Sequence, residues 1–142
     1  MRPFLILMSL FVLSIASGPA HAGPGSDLAQ LAESIRLQAD ERASTAASHP
    51  AAPADPLDMD DAFLTQLEQF SLQAIQLSRH LQTHDGAMDL QCIFRGMSED
   101  SALSLERLDQ ASTSGEQARI YRSIADLMRD ATEIGPDADA AE

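Results

Sequence analysis

Apolar residues recur at alternating spacings of four and three along the middle of the chain, in residues 57–84. The stripe consists of Phe63, Leu67, Phe70, Ala74, Leu77 and Leu81. This spacing places the apolar residues on one face of an α-helix and the intervening polar residues on the other. The pattern therefore predicts a helix with Leu67 and Leu77 in the core and with Asp58 and Asp60 outside it.

Two later segments carry similar stripes, and one earlier segment carries a weaker one. Residues 89–111 include Leu90, Phe94, Met97, Leu105 and Leu108, and residues 114–134 include Ile120, Ile124, Leu127, Ala131 and Ile134. Between Asp27 and Ala43 the stripe fades into alanine, so that helix should be marginal unless it packs on another element. Helices with short connections pack antiparallel. We predict an all-α protein, a small antiparallel three-helix (up-down) bundle with a candidate extra N-terminal helix.

Proline, glycine and acidic residues divide the rest of the chain. Residues 44–56 contain three prolines among alanine and serine, which predicts an extended, mobile linker. Residues 135–142 begin with a Gly-Pro helix stop and are otherwise small and acidic, which predicts a disordered acidic tail. These breaks leave residues 23–43 as a short N-terminal helical segment and residues 57–134 as the helical bundle domain.

The first 22 residues have the pattern of a secretory signal peptide. A positive start precedes an apolar run from Phe4 to Ile15, and the small residues Ala20 and Ala22 form a cleavage site. The run is shorter than the roughly 20 residues that span a bilayer, which disfavours an uncleaved N-terminal anchor. We predict cleavage after Ala22, a periplasmic or secreted protein, and no stable membrane span in the mature chain.

Composition and charge narrow the class of function. The chain carries 22 acidic residues against 9 basic ones, all of them Arg, for a formal net charge of −13. The sequence shows no local basic patch, which argues against nucleic-acid binding. One Cys cannot form an internal disulfide, and few aromatic or β-branched residues argue against an all-β fold. The absence of Lys and Asn beside abundant Ala and Arg is typical of GC-rich bacterial genomes and favours the periplasm.

Sequence motifs favour binding over catalysis. The chain has no Gly-rich phosphate loop and no HExxH, GxSxG or CxxC motif. The apolar stripes are narrow, close to the a and d positions of a coiled coil, which favours a slender bundle or pairing with another helix. We therefore expect a non-enzymatic protein-binding or adaptor module. Its partner would be another protein or a second copy in a homodimer.

Four side chains that suit soft metals recur at spacings of four: His80, His84, Met88 and Cys92. On a continuous helix such residues are surface neighbours. Imidazole, thioether and thiolate suit copper, and two His with one Cys suit zinc. Gly86 is expected to interrupt the helix among them. The alternative function is thus a copper- or zinc-binding protein. The opposing interpretation is that the two His are solvated and that the Met and Cys lie near them without a metal.

Cys92 is also a candidate reactive or intermolecular thiol. If Asp89 is the N-cap of the third helix, Cys92 occupies the third helical position, where free backbone amides favour a thiolate. A lone exposed thiol in an oxidising compartment also favours an intermolecular disulfide. The opposing interpretation is a buried Cys that acts as a small hydrophobic residue, and the sequence leaves burial and exposure open.

Overall fold

The computed structural model describes residues 23–141, which form four α-helices. The helices are α1 (Pro24–Ala47), α2 (Ala62–Thr83), α3 (Met88–Gln110) and α4 (Ser114–Ala140). Within the described range, extended pairing is limited to an isolated bridge between Pro53 and Thr113. The prediction of an all-α protein is confirmed. The predicted signal peptide lies outside the described residues.

The core contains the residues that the apolar stripe of α2 predicted. Leu67 is fully buried and Leu77 is 4% exposed, whereas Asp58 and Asp60 are exposed, as expected. Neighbouring stripes on α3 and α4 contribute Phe94, Met97, Leu108, Ile124 and Ala131. The local spacing of apolar residues therefore identified the buried faces of α2 and α3. In α4 the buried face is rotated from the predicted stripe, because Tyr121, Ala125 and Met128 are buried, whereas Ile120, Leu127 and Ile134 are only partly buried.

The first helix is a full member of this core rather than a marginal addition. α1 is longer at both ends than the predicted segment Asp27–Ala43, and it buries Leu28, Ile35 and several alanines. It packs most extensively against α4. Its weak apolar stripe is sufficient because most helix stability in proteins comes from tertiary packing. The described residues thus contain four helices where three and a candidate fourth were predicted.

The helices α1 and α4 run antiparallel and approach each other closely. At one end, a Cβ atom built on Gly135 would lie 2.5 Å from the carbonyl oxygen of Gly25. At the other end, the Gly115 amide donates a hydrogen bond of 3.0 Å to the Pro50 carbonyl. Both helices bury alanines along their length, and small contact residues allow short distances between helix axes. The buried alanines are Ala29, Ala32, Ala39, Ala43, Ala118, Ala125, Ala131 and Ala138.

Serine residues bring α2 and α3 together. The Ser71 hydroxyl donates to the Ser98 carbonyl at 2.9 Å, and the Ser78 hydroxyl donates to the Gln91 carbonyl at 2.7 Å. The two contacts follow opposite directions along the two helices, so α2 and α3 are antiparallel. The carbonyls on α3 give these hydroxyl groups hydrogen-bond partners at the contact, since an unpaired polar group buried there would cost free energy.

The segment predicted as a mobile linker, residues 44–56, is instead folded onto the chain. Residues 44–47 form the last turn of α1. Further along, the Ala54 amide donates a hydrogen bond of 3.1 Å to the Ser112 carbonyl in the connection between α3 and α4. The prolines lack amide donors, but their neighbours still donate and their carbonyls still accept. The proline content therefore does not prevent specific hydrogen bonding here.

Gln117 fixes the end of this segment. Its carboxamide oxygen accepts from the Asp55 amide at 2.9 Å, and its nitrogen donates to the Asp55 carbonyl at 2.7 Å. Gln117 is 3% exposed, so both bonds are shielded from water. This side chain on α4 thereby satisfies the backbone of a residue 62 positions earlier.

The helix α4 continues through the Gly-Pro pair to Ala140, so the predicted disordered tail is wrong for residues 135–140. Pro136 removes one backbone donor and would on its own destabilise the helix at this point. The next turn is held by α1, because Asp139 accepts hydrogen bonds from backbone amides at the start of α1. Tertiary contacts therefore extend the helix past a sequence that ordinarily ends one.

Candidate functional site

The four predicted metal ligands do not form one continuous ridge. His80 and His84 lie at the C-terminal end of α2, Met88 is the first residue of α3, and Cys92 follows one turn later. Between them Asp85 has a φ of 54°, in the left-handed region. The chain therefore leaves the α2 helix before it reaches Met88.

The turn after α2 is a Schellman-type helix end. The Gly86 amide donates to the Leu81 carbonyl at 2.8 Å. A Cβ atom at Gly86 would lie 2.8 Å from the Leu81 side chain. The interruption of the helix expected at Gly86 is confirmed. The residue with the left-handed conformation is Asp85, however, and Gly86 is needed because it packs closely over Leu81.

The structure brings the two histidines of the predicted ligand set together. The ring centroids of His80 and His84 are 4.2 Å apart. The His84 Nδ1 atom lies 2.9 Å from the His80 carbonyl oxygen, which suits a tautomer that donates from Nδ1 and presents Nε2 as a ligand atom. Within residues 23–141, no three His, Cys, Asp or Glu side chains are arranged to hold a metal ion. A metal bound by His80 and His84 would therefore need its remaining ligands from other groups.

Cys92 is exposed, which decides between the two interpretations of its burial. The predicted N-cap is wrong: α3 begins at Met88 with Ala87 as N-cap, so Asp89 lies inside the first turn. Cys92 is therefore the fifth helical residue and not the third, and the effect of the helix N-terminus falls off beyond the first turn. The Arg95 Nη2 atom donates a hydrogen bond to the Cys92 sulfur at 3.7 Å.

The side of α3 that faces away from the core, here called the α3 outer face, combines apolar and charged residues. It consists of Met88, Cys92, Arg95, Gly96, Glu99, Leu103 and Glu106. These positions share one side because residues three and four apart are neighbours on a helix. Met88 is 75% exposed and Leu103 is 39% exposed. The apolar surface of α3 is thus divided between an inward and an outward face.

Gly96 lies in the middle of the α3 outer face. A Cβ atom built there would meet no atom within 4 Å in the described part of the chain. Small residues therefore allow close approach to α3 on two sides. On the inner side the buried Ser98 contacts Ser71 of α2, and on the outer side Gly96 leaves the backbone open.

A polar cleft of about 380 Å³ lies among α1, α4 and the segment that precedes α2, and the sequence did not predict it. Arg42 forms an ion pair of 2.7 Å with Asp61. The guanidinium also lies over the Phe63 ring, 4.6 Å from its centroid, within the range of a cation–π contact. Asp61 was recognisable as a residue at the start of a helix, but its pairing with Arg42 depends on the packing of α1 against α2.

Asp61 has two roles that change its ionisation. Its side chain accepts the Phe63 amide at 2.9 Å as the N-cap of α2 and also binds Arg42. Partial burial raises the pKa of Asp61, but the hydrogen bonds from Arg42 and from the Phe63 amide outweigh it and hold the pKa below its ordinary value. The Asp61 carboxylate is therefore occupied in stabilising the fold.

No helix among residues 23–141 is long and apolar enough to cross a membrane. Comparison with known proteins finds no matching family model, no similar curated protein and no similar solved structure. The function is therefore inferred from the residues and geometry of this chain.

Proposed function

We propose that this chain is an exported, acidic helical protein that acts by binding another protein chain rather than by catalysis. Export is supported by the positive start, short apolar run and small-residue cleavage site of residues 1–22. With cleavage after Ala22, the mature protein would be periplasmic or secreted. The observation that carries the binding function is the α3 outer face with its open position at Gly96.

Gly96 supports an external contact because the described part of the chain, residues 23–141, gives it no packing role. Glycine in a helix interior costs about 1 kcal/mol relative to alanine. At Gly86 and Gly135 neighbouring atoms exclude a side chain, but at Gly96 nothing does. A missing side chain allows another backbone to come close, and the exposed Cys92 and Leu103 supply apolar contact on either side.

We propose a second copy of this chain as the occupant, packed antiparallel through the same face. The mature chain carries eight Arg against 22 acidic residues, a net charge of −14, so most of its surface repels a copy. The centre of the α3 outer face differs, because it carries Arg95 and Glu99, one charge of each sign. A two-fold axis between these residues sets each against its opposite in the second copy.

Light scattering on the reduced, exported protein across a range of concentrations tests this proposal. We expect a mass that rises to twice that of one mature chain. Gly96→Arg should give a single-chain mass, because a long charged side chain would occupy the open position. Ser123→Arg, at an exposed position on α4, is the matched control and should still dimerise. A single-chain mass at every concentration, or dimerisation that survives Gly96→Arg, would contradict the second copy as occupant.

The second candidate function is soft-metal binding, favoured by the contact between His80 and His84. Two imidazoles one helical turn apart can bind copper or zinc, with solvent or a partner supplying the remaining ligands. Titration with Cu²⁺ or Zn²⁺ tests it by calorimetry or spectroscopy. His84→Ala should abolish binding, and His49→Ala, at an exposed site far along the chain, should not. Binding unchanged by His84→Ala would exclude this site.

A further inference from the structure

The two ends of the mature chain meet at the carboxylate of Asp139. Its oxygens accept hydrogen bonds from the backbone amides of Gly25 at 2.7 Å and Ser26 at 2.8 Å, and also from the Ser26 hydroxyl. Gly23, the N-cap residue of α1, has no side chain to cap the helix. Asp139, at the end of α4, therefore caps the first helix from the far end of the sequence.

Gly23 lies directly against this carboxylate. A Cβ atom built on Gly23 would collide with the Asp139 side chain, so the Cα of Gly23 is already in contact with it. The backbone nitrogen of Gly23 is one covalent bond from that Cα, about 1.46 Å away. In the precursor this nitrogen belongs to the uncharged peptide bond between Ala22 and Gly23.

We propose that cleavage between Ala22 and Gly23 turns this nitrogen into an ammonium group that pairs with Asp139 and completes the joint between α1 and α4. The inference rests on the cleavage in the proposed export. A signal peptidase hydrolyses the bond with one water: Ala22 becomes a carboxylate, and the proton that it releases is taken up by the new Gly23 amine. Processing thereby adds an ion pair that the precursor lacks.

The charges around Gly23 favour this pairing. A positive group at the start of a helix is opposed by the helix dipole, so it needs a nearby anion. Asp139 from α4 is in contact, and Asp27 lies in the first turn of α1. From α2, His80 lines a cleft with Pro24 and Asp27. Asp139 is ionised at neutral pH, since the hydrogen bonds that it accepts from Ser26 and the Gly25 amide outweigh the effect of its partial burial and lower its pKa.

The composition of the chain makes this proposal measurable at a single site. All nine basic residues are Arg, so the α-amino group is the sole primary amine of the mature protein. An acetylating reagent selective for amines therefore reports on Gly23 alone. Expression of the full-length gene in an exporting bacterium, followed by intact mass, identifies the N-terminus, and the pH dependence of the acetylation rate then gives the apparent pKa of the amine.

We expect an apparent pKa about one unit higher in the folded protein than in the same protein in urea, where the ordinary value is about 7.7–8.0. Near neutral pH this corresponds to roughly tenfold slower acetylation. Asp139→Asn should lower the pKa of the amine to the value in urea or below it, because the helix dipole opposes the positive charge. Asp137→Asn removes the same charge from an exposed position on the same helix and should leave the folded value unchanged.

The outcomes separate this inference from the proposed export. An intact mass that does not begin at Gly23 would overturn the cleavage and this inference together. The expected mass with equal pKa values in the folded and urea-unfolded wild-type protein would overturn only the pairing, and this comparison needs no variant to fold. An equal rise in pKa in the Asp139→Asn protein would assign the effect to another group and also overturn the pairing.

Discussion

Gly25 and Gly135 lie with their backbones in contact where the start of α1 packs against the end of α4. A Cβ atom on Gly25 would collide with the Gly135 carbonyl oxygen, and a Cβ atom on Gly135 would lie 2.5 Å from the Gly25 carbonyl oxygen. Both obstacles are backbone atoms, so a rotamer change cannot relieve them. This contact brings Asp139 to the first turn of α1 and thereby joins the first and last of the described helices.

Gly135→Ala should destabilise the protein by about 1–3 kcal/mol, the usual cost of forcing atoms into a close-packed site. Gly96→Ala is the matched control, because its Cβ enters open space and alanine favours the helix by up to about 1 kcal/mol. Urea unfolding at a concentration that keeps the chain monomeric measures both. If Gly135→Ala were as stable as wild type, the close approach of α1 and α4 would be wrong.

Leu77→Ala should lower the free energy of unfolding by about 2–5 kcal/mol, because Leu77 is 4% exposed and its removal leaves a cavity. Leu72→Ala, on the same helix at 56% exposure, should change it by less than about 0.5 kcal/mol. Thermal or urea unfolding gives the difference. Similar losses in the two variants would show that the buried face of α2 is misassigned.

Asp61→Asn should destabilise the protein at neutral pH by about 1 kcal/mol, since it removes the charge that binds Arg42 in a partly exposed pair. Asn still caps the helix, so the difference reports the charge. The pKa of Asp61 is lower when folded. Its stabilisation is therefore complete above the unfolded value of about 3.9 and is lost as pH falls through the folded value.

Urea unfolding of wild type and Asp61→Asn at several pH values checks this dependence. The gap between them should be full at pH 7 and should close in acid. Asp60→Asn, which removes an exposed carboxylate from the adjacent position, should show little difference from wild type at neutral pH. A gap for Asp61→Asn that stays constant down to acid pH would exclude the ion pair as its cause.

Gln117→Ala should loosen the segment before α2, because it removes two hydrogen bonds to Asp55 and leaves that backbone unpaired. We expect a loss of about 1–3 kcal/mol and faster hydrogen exchange at the amides of Ala54 and Asp55. Gln110→Ala, at the exposed end of α3, is the control. Unchanged exchange at these amides in the Gln117 variant would mean that the segment is held by other contacts.

The candidate site was partly predictable because some of its features depend only on the spacing of residues that are close in the sequence. The spacing of His80 and His84 placed them one helical turn apart, and their rings do meet. The open face at Gly96 follows from which side of α3 is buried, which the stripe through Phe94 and Met97 indicates. The predicted position of Cys92 in α3 was wrong, because the N-cap of this helix is Ala87. Alanine has no side chain that can cap a helix, so the sequence does not mark it as an N-cap.

The sequence by itself determined the four helical segments and the buried faces of α2 and α3, because apolar spacing acts over one or two turns and needs no knowledge of the partner. Only the tertiary structure decided where α1 and α4 end and that residues 44–56 are ordered. Those outcomes depend on groups far apart in sequence, such as Asp139 with Gly25 and Gln117 with Asp55. Segments rich in proline and small acidic residues are ordinarily solvated and disordered. In this chain, donors and acceptors far away in the sequence supply the hydrogen bonds that order such segments.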